Sequence, residues 1–523
     1  MFGQKSIILI HPPVSVVSEP PAGMARLAGF LKAAGADCRV VDLNIEGLTW
    51  LAADAPGAND TWTRRAKAAI AKNMAALRSP GLYESPARYK RAVMDVNRVL
   101  HMAGREKGVR LSLSNYTEAA RTPVRSRDLL DAALAFEKNP FYTFFRRRLY
   151  DVFADHTPDI AGFSVNFMGQ ALCASAIAGF IKAHFPATRI VFGGGLITSW
   201  STLPGFSNPL PGIADDMVDG PGETVTGAMC GLDETTLSVV PGYPYDYSGF
   251  DPDRYFSPGR ILPVSASEGC YWRKCAFCPE KAEKKTYRSY PPEVIACSTY
   301  PGCRGESEGP ALIHFLDNAL SPRFMKYLVD NPPGSPWYGF ARITPHLADP
   351  EFVEGLAASG CVMLQTGIES GDQRVLDAAG KGVRVETIAK ALKTLQASPI
   401  AVYGYLLFGT PGENEASAVK TRDFILAYAD CIDFLNLAIF NLPAYCREVD
   451  DLETRPFYPG DLSLYRDFIH PQGWHRDRVR RFLARDFKRE GPIRKILNND
   501  PPFFTSNHAP FFRRVLKKGA ADG

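Results

Sequence analysis

The densest chemistry in this 523-residue chain lies in Gly269-Cys270-Tyr271-Trp272-Arg273-Lys274-Cys275-Ala276-Phe277-Cys278-Pro279-Glu280. Cys270, Cys275 and Cys278 fall within nine residues, and the other eight cysteines are scattered. Thiols this close together on a loop oxidise unless something holds them. As thiolates they suit a metal cluster. A cubane iron–sulfur cluster has more irons than three cysteines can ligate, so one iron stays open to a substrate amine and carboxylate. Zinc is the rival and requires a fourth ligand. Cys297, Cys303 and His314 are the candidates, none at paired spacing. The scattered cysteines read as small buried apolar residues, and a disulfide framework is not expected in a chain with no secretory leader.

A reactive loop needs a frame, and residues 261–450 supply a strand–helix rhythm. ILPVSAS precedes the cysteines, and ALIHFLD, WYGFARI, VMLQTGIES, VYGYLLFG and FLNLAIF follow as strands. LSPRFMKYLVDN, DPEFVEGLAASG, GDQRVLDAAGKG and NEASAVKTRDFILAYA read as the helices between them. Six such repeats predict a partial (β/α) barrel of the TIM type, with functional residues at the strand C-termini. The cysteines, Asp317, Arg342, Glu369 and Gly409 all fall there. The rival reading of Asp317 and Arg342 is a structural ion pair, and that of Glu369 a surface carboxylate.

The N-terminal half, 1–235, also opens as a parallel α/β unit. SIILIH, DCRVVDLN, DIAGFSV and RIVFGGG read as buried parallel strands, and GMARLAGFLKAAG and QALCASAIAGFIKAHF as helices. Gly193, Gly194 and Gly195 lie just past a strand end, where open α/β sheets bind ligands; a tight turn is the plainer reading. Residues 55–150 interrupt the rhythm with a basic, mainly helical insert. Residues 236–260, rich in Pro, Gly, Tyr and Asp, form a linker. Residues 451–523, aromatic and basic, read as a small C-terminal helical domain.

The net charge of +4 hides a contrast. Residues 61–150 carry 19 Lys and Arg against 7 Asp and Glu, and residues 471–523 carry 13 against 5. Solvated helix faces account for this, as would a rim for an anionic substrate or carrier. With no RNA-binding signature, nucleic acid is the weaker option. No apolar run is long enough to span a membrane, and a cytoplasmic location is expected.

The cysteine loop, with Phe277 before its last cysteine, resembles that of the radical S-adenosylmethionine (SAM) enzymes. Its spacing of four residues and then two departs from the usual three and two. GCVMLQTGIESG, DQRVLDAAGKG and YLLFGTPGE resemble the later barrel strands of the same family. HPPVSVVSEPPAGMARLAGFLKAAG, PDIAGFSVNFMGQ, VFGGGLITSW and DMVDGPGE resemble the Rossmann-like cobalamin-binding domain that precedes many such barrels.

The resemblance implies a 4Fe-4S cluster on Cys270, Cys275 and Cys278. It implies SAM against Phe277, Asp317, Arg342, Glu369, Ser370, Gly409 and Pro411. Cobalamin is expected against Pro12, Pro13, Ser164, Asn166, Gln170, Gly193, Gly194, Gly195, Gly220, Gly222 and Glu223. The Asp-x-His-x-x-G cobalt-ligand motif is missing, and His156 lacks its spacing, so the lower cobalt face is expected to be open or taken by another group, with Asn166, Met168 and Gln170 placed to line it; a domain that keeps the fold without the cofactor is the alternative. Tyr271, Trp272 and His508 are weaker candidates for substrate contact. His470 and His475 read as packing or capping residues.

The implied reaction is one-electron cleavage of SAM to methionine and a 5′-deoxyadenosyl radical, then hydrogen abstraction and methyl donation from methylcobalamin. C-methylation of an unactivated carbon in a biosynthetic intermediate is the expected outcome. The alternatives are ring formation or contraction, oxidation or epimerisation by the same cofactors, or a non-catalytic iron–sulfur or zinc module. The expected partners are a small-molecule or peptide substrate and an external one-electron reductant of flavodoxin or ferredoxin type.

Overall fold

The computed structural model describes residues 4–57, 60–233, 245–283, 286–299, 309–446, 448–501 and 509–511. The described residues divide into two compact units, the first drawn from 4–261 and 458–464, the second from 262–457, 465–501 and 509–511. Residues 458–464 thus lie in the first unit, and 465–501 in the second.

The first unit is built on five parallel strands. They are β1 (Ile7–His11), β2 (Cys38–Asp42), β5 (Ile160–Ser164), β6 (Arg189–Gly193) and β7 (Asp216–Met217), in the order β2-β1-β5-β6-β7. β1 pairs with β2 on one side and with β5 on the other, Ile7 facing Cys38 and Ile160. The strand order therefore reverses between β1 and β5, the kind of switch point at whose strand carboxyl ends open α/β sheets bind ligands. Every residue of β1 is buried, as befits the centre of a covered parallel sheet.

The connecting helices are α1 (Ala22–Ala33), α8 (Met168–His184), α9 (Gly195–Ser201) and α10 (Glu223–Met229). α8 buries an unbroken run from Gln170 to Ile181, so it is a core helix with no solvent stripe. Between β2 and β5, α2 (Leu43–Ala53) is followed by the expected helical insert, with α3 (Thr61–Ala68), α4 (Ile70–Ala76), α5 (Pro86–Arg105), α6 (Ser126–Leu134) and α7 (Tyr142–Ala154). It also holds an antiparallel hairpin, β3 (Val109–Leu111) with β4 (Tyr116–Glu118), that the polar sequence does not announce.

The second unit is an open six-stranded sheet. β8 (Ile261–Val264) is followed in the sheet by β11 (Leu312–Leu320), β12 (Trp337–Ala341), β13 (Cys361–Glu369), β14 (Ala401–Phe408) and β15 (Phe434–Ile439). β11 to β15 pair in parallel, each with the next in sequence, and β8 and β15 are the edges among the described residues. This is the partial barrel, not a closed one. Its helices start where the sequence places caps. Ser321 accepts from Phe324 N ahead of Pro322–Asp330, and Asp349 from Glu351 N ahead of Pro350–Ala358.

One helix departs from expectation. GDQRVLDAAGKG forms helix only over Gln373–Ala378, and Gly380 and Gly382 then turn left-handed with φ +63° and +62°. The main covering helix is Val385–Gln396, which follows that turn. A second departure lies downstream. Leu442–Pro443, Thr454–Pro456 and Tyr465–Phe468 form an antiparallel three-stranded sheet before the helices Arg476–Phe482 and Gly491–Asn499, so this region is not wholly helical.

Candidate functional site

The three cysteines stand on the loop that leaves β8, clasped at its base by a two-stranded ribbon of β9 (Ser267–Glu268) and β10 (Arg288–Ser289). All three thiols are free and half-buried. Burial pushes the Cys275 thiol above its ordinary range; Lys381 and Arg342 pull it back, and Glu369 opposes them. Burial also carries Cys278 up to about 11, against the backbone N–H groups of Glu280 and Lys281.

The loop is fastened to one short segment, Ala379–Gly382. Ala276 N donates to Ala379 O at 2.9 Å, and Trp272 Nε1 donates to Gly380 O at 2.9 Å. Arg342 donates to the carbonyls of Lys381 and Gly382, and its guanidinium lies 3.7 Å from the Trp272 ring centroid. Four consecutive carbonyls are thereby taken by the loop or by the arginine stacked on it. Two glycines make the approach possible. A Cβ on Gly380 would stand 2.6 Å from Lys274 O, and one on Gly382 would collide with the Trp272 ring. Arg273, with φ +51°, turns the chain between Trp272 and Lys274, so the extra residue of the four-residue spacing goes into this docking.

Glu369 ends β13 with φ +61°, beside a register shift against β14 between Gly367 and Glu369. Its carboxylate pairs with Lys381 at 2.7 Å, both side chains nearly buried. Lys381 was not among the sequence candidates. No local pattern marks a lysine twelve residues beyond the glutamate it pairs with. Phe277 packs against Phe440, Leu442 and Cys446. Gly409 follows β14 with φ +80°, and its N–H donates to Glu413. Pro411, two residues on, is half-buried.

Two residues expected against SAM are engaged in hydrogen bonds within the protein. Asp317 is 4% exposed, and both its oxygens are engaged, by Ala266 N at 2.8 Å and Ser267 Oγ at 2.5 Å. It ties β11 to the strand that leads into the cysteine loop. Ser370 is fully buried; its hydroxyl meets Thr421 at 3.0 Å and accepts from Asp372 N. Both are frame residues. The zinc alternatives are dispersed. Cys297 is exposed on the helix Pro292–Thr299, and His314 is stacked on Tyr338 at 4.2 Å. Cys303 and His508 lie outside the described residues. Tyr271 sits edge-on to Tyr287. His470 is a packing residue, its Nε2 2.8 Å from Thr410 O and its Nδ1 accepting from Gln472 N.

Three soft sulfur donors on one loop, with two cations countering the burial of Cys275, fit a thiolate-ligated iron–sulfur group. Among the described residues no three His, Cys, Asp or Glu side chains converge as a single-ion site.

In the first unit, glycine and small polar groups stand at the carboxyl ends of β5, β6 and β7. Asn166, exposed, accepts from Gly195 N at 2.9 Å and donates to Ser164 Oγ at 3.0 Å. Gly194 has φ +103°, and a Cβ there would stand 2.6 Å from Val165 O. Gly220 donates to Thr198 Oγ1, and nothing stands near the missing Cβ of Gly220. Bare backbone of this kind lets a large planar ligand approach closely, as cobalamin requires.

Two residues expected against cobalamin have partners within the protein. Gln170 is fully buried. Its Oε1 accepts from Asn166 N and Phe167 N, and its Nε2 donates to Pro12 O, so it joins the loops after β1 and β5. Glu223 pairs with Arg26 at 2.8 Å and is 7% exposed. Pro12 and Pro13 are buried in the loop after β1. Asn44, missed in the sequence, holds that loop by accepting from Ser15 N and donating to Val16 O. His156 contacts Ser6 Oγ at the opposite, N-terminal end of β1.

Residues 318–425 match the family model of the Radical SAM superfamily. Bacteriochlorophyllide d C-12(1)-methyltransferase of Chlorobaculum tepidum is 25% identical over 220 residues, 41% of this chain, and the match spans only about half of that relative (47%). TsrM from Kitasatospora setae, a radical S-adenosylmethionine methyltransferase solved with tryptophan substrate and a SAM analogue, aligns over 99% of both chains with TM-score 0.55 and 14% identity. The same protein has been solved with cobalamin and a [4Fe-4S] cluster bound. OxsB, a cobalamin-dependent S-adenosylmethionine radical enzyme solved with aqua-cobalamin, aligns over 90% of this chain and 65% of its own, with TM-score 0.53 and 14% identity. Residues 318–425 thus match the Radical SAM superfamily, and the α/β fold of the chain is similar to those of TsrM and OxsB.

Proposed function

We propose that this protein is a cobalamin-dependent radical SAM enzyme that methylates a carbon of a small-molecule or peptide substrate. The observation that carries the reading is the cysteine loop, three free thiols docked on Ala379–Gly382 at the carboxyl end of a parallel sheet. Cys270, Cys275 and Cys278 hold the cluster. Phe277, Arg342, Glu369, Gly409 and Pro411 border the place for SAM. Ser164, Asn166 and the glycines 193–195, 220 and 222 border the place for cobalamin. When bound, the cluster supplies the electron that cleaves SAM, and cobalamin carries the methyl group.

The chain's own part is to dock the cysteine loop, keep Glu369 and Arg342 in place and shield the sulfurs. An external one-electron donor is required to reduce the cluster. Methyl transfer is favoured over other radical outcomes by the two methyltransferase names among the similar proteins.

Product mass tests the reading. With the chain reconstituted without oxygen and supplied with methyl-labelled SAM and a reductant, candidate substrates are expected to gain a labelled methyl group. Products that lose hydrogen, or rearrange at unchanged mass, would replace methylation by the alternative radical chemistry.

A further inference from the structure

Lys381 is a charge that the cysteine spacing does not call for. Its side chain is 6% exposed, and Glu369 is its ion-pair partner. Several local departures converge on seating it. Gly367 is bare, and a Cβ there would collide with the Glu369 carboxylate and stand 2.5 Å from Lys381 Nζ. Glu369 adopts φ +61°, which a glutamate reaches only at a conformational cost. Gly380 and Gly382, left-handed, flank the lysine on both sides. A buried ion pair is a poor device for stability alone, because desolvation offsets its Coulombic gain and apolar residues of similar volume serve as well or better.

What the lysine faces is the cysteine loop. Its Nζ lies 5.9 Å from the centroid of Phe277, the residue between Cys275 and Cys278 in the final Cys-Ala-Phe-Cys stretch. Its backbone belongs to the segment that accepts from Ala276 N, Trp272 Nε1 and Arg342. The ammonium is therefore fixed relative to the sulfurs by hydrogen bonds on both sides of it, and Glu369 fixes its tip.

We propose that Lys381 is a positioning residue of the cysteine loop, a fixed cation that favours the reduced form of the iron–sulfur cluster held there. The proposal rests on the cluster reading above. A thiolate-ligated cluster becomes more negative with each added electron, and a cation held nearby in a poorly solvated place stabilises that charge.

The test uses the full chain, reconstituted without oxygen, with iron content and the cluster's reduction potential followed by electron paramagnetic resonance. Lys381→Met is expected to lower the potential, and Lys381→Arg to restore it towards the wild-type value. Lys381→Met combined with Glu369→Gln leaves no orphaned carboxylate, and it too is expected to lie below wild type. If the lysine-free chains take up no iron while Lys381→Arg does, a cation at 381 is needed for the loop to hold its cluster, which supports the proposal. A wild-type potential in Lys381→Met, or a Lys381→Arg value no different from Lys381→Met, overturns it and leaves the cluster reading intact. A wild-type chain that takes up no iron overturns both.

Discussion

Glu413 is fully buried behind the Gly409 turn, where its Oε2 accepts from Gly409 N and from Trp474 Nε1 at 2.9 Å. Burial pushes its carboxyl from the ordinary 4.5 up to about 7. Between those values the folded chain keeps a proton that the unfolded chain gives up. Stability therefore falls as pH rises through that window, by about 3 kcal/mol in all, and levels off above it. Glu413→Gln keeps an acceptor for both N–H groups and has no proton to lose. Its melting temperature is expected to vary less than wild type between pH 5 and about 7, a comparison that thermal unfolding makes directly. At this scale the sequence is most legible where residue type alone sets the chemistry, as for the three cysteines. It is least legible for Lys381, Asn44 and Gln170, whose work depends on partners brought by the fold. Asp317 and Ser370 show the converse. Ser370 follows a strand end and Asp317 lies within β11, and both make internal hydrogen bonds that the sequence does not announce.

The elements that frame the first site meet at close quarters. α6 crosses α8 at Gly179, where an added Cβ would overlap the Ala133 carbonyl. Backbone cannot yield as a flexible side chain would. Gly179→Ala is accordingly expected to force the helices apart and to lower stability by about 1–3 kcal/mol, read from urea unfolding. The same shift would move α8, whose first turn carries Gln170 between the loops after β1 and β5, so cobalamin uptake is expected to weaken as well. The alternation of apolar strands with amphipathic helices made most of this frame readable, because its periods are long enough to register. The helix Val385–Gln396 was hidden by the glycine turn before it. The three-stranded sheet within 442–468 was hidden because strands of two to four residues carry no period.

Across the whole molecule, the candidate cluster loop belongs to one compact unit and the glycine-rich strand ends to the other. Each unit carries its own parallel sheet with candidate ligand groups at the strand carboxyl ends, which is where both sheet types bind ligands. Among the described residues no helix is long and apolar enough to cross a membrane. The strand–helix alternation in both halves of the chain could be read from the sequence. The placing of residues 458–464 in the first unit and 465–501 in the second could not, because that depends on contacts distant in sequence.

The most direct test of the account is metal content. The wild-type chain and a Cys270→Ala/Cys275→Ala/Cys278→Ala variant would be purified and reconstituted without oxygen in the presence of cobalamin, then assayed for iron, sulfide, cobalt and zinc. The account predicts about four irons per wild-type chain, none in the variant, and bound cobalamin in both. Zinc in place of iron, or iron retained by the variant, would contradict it.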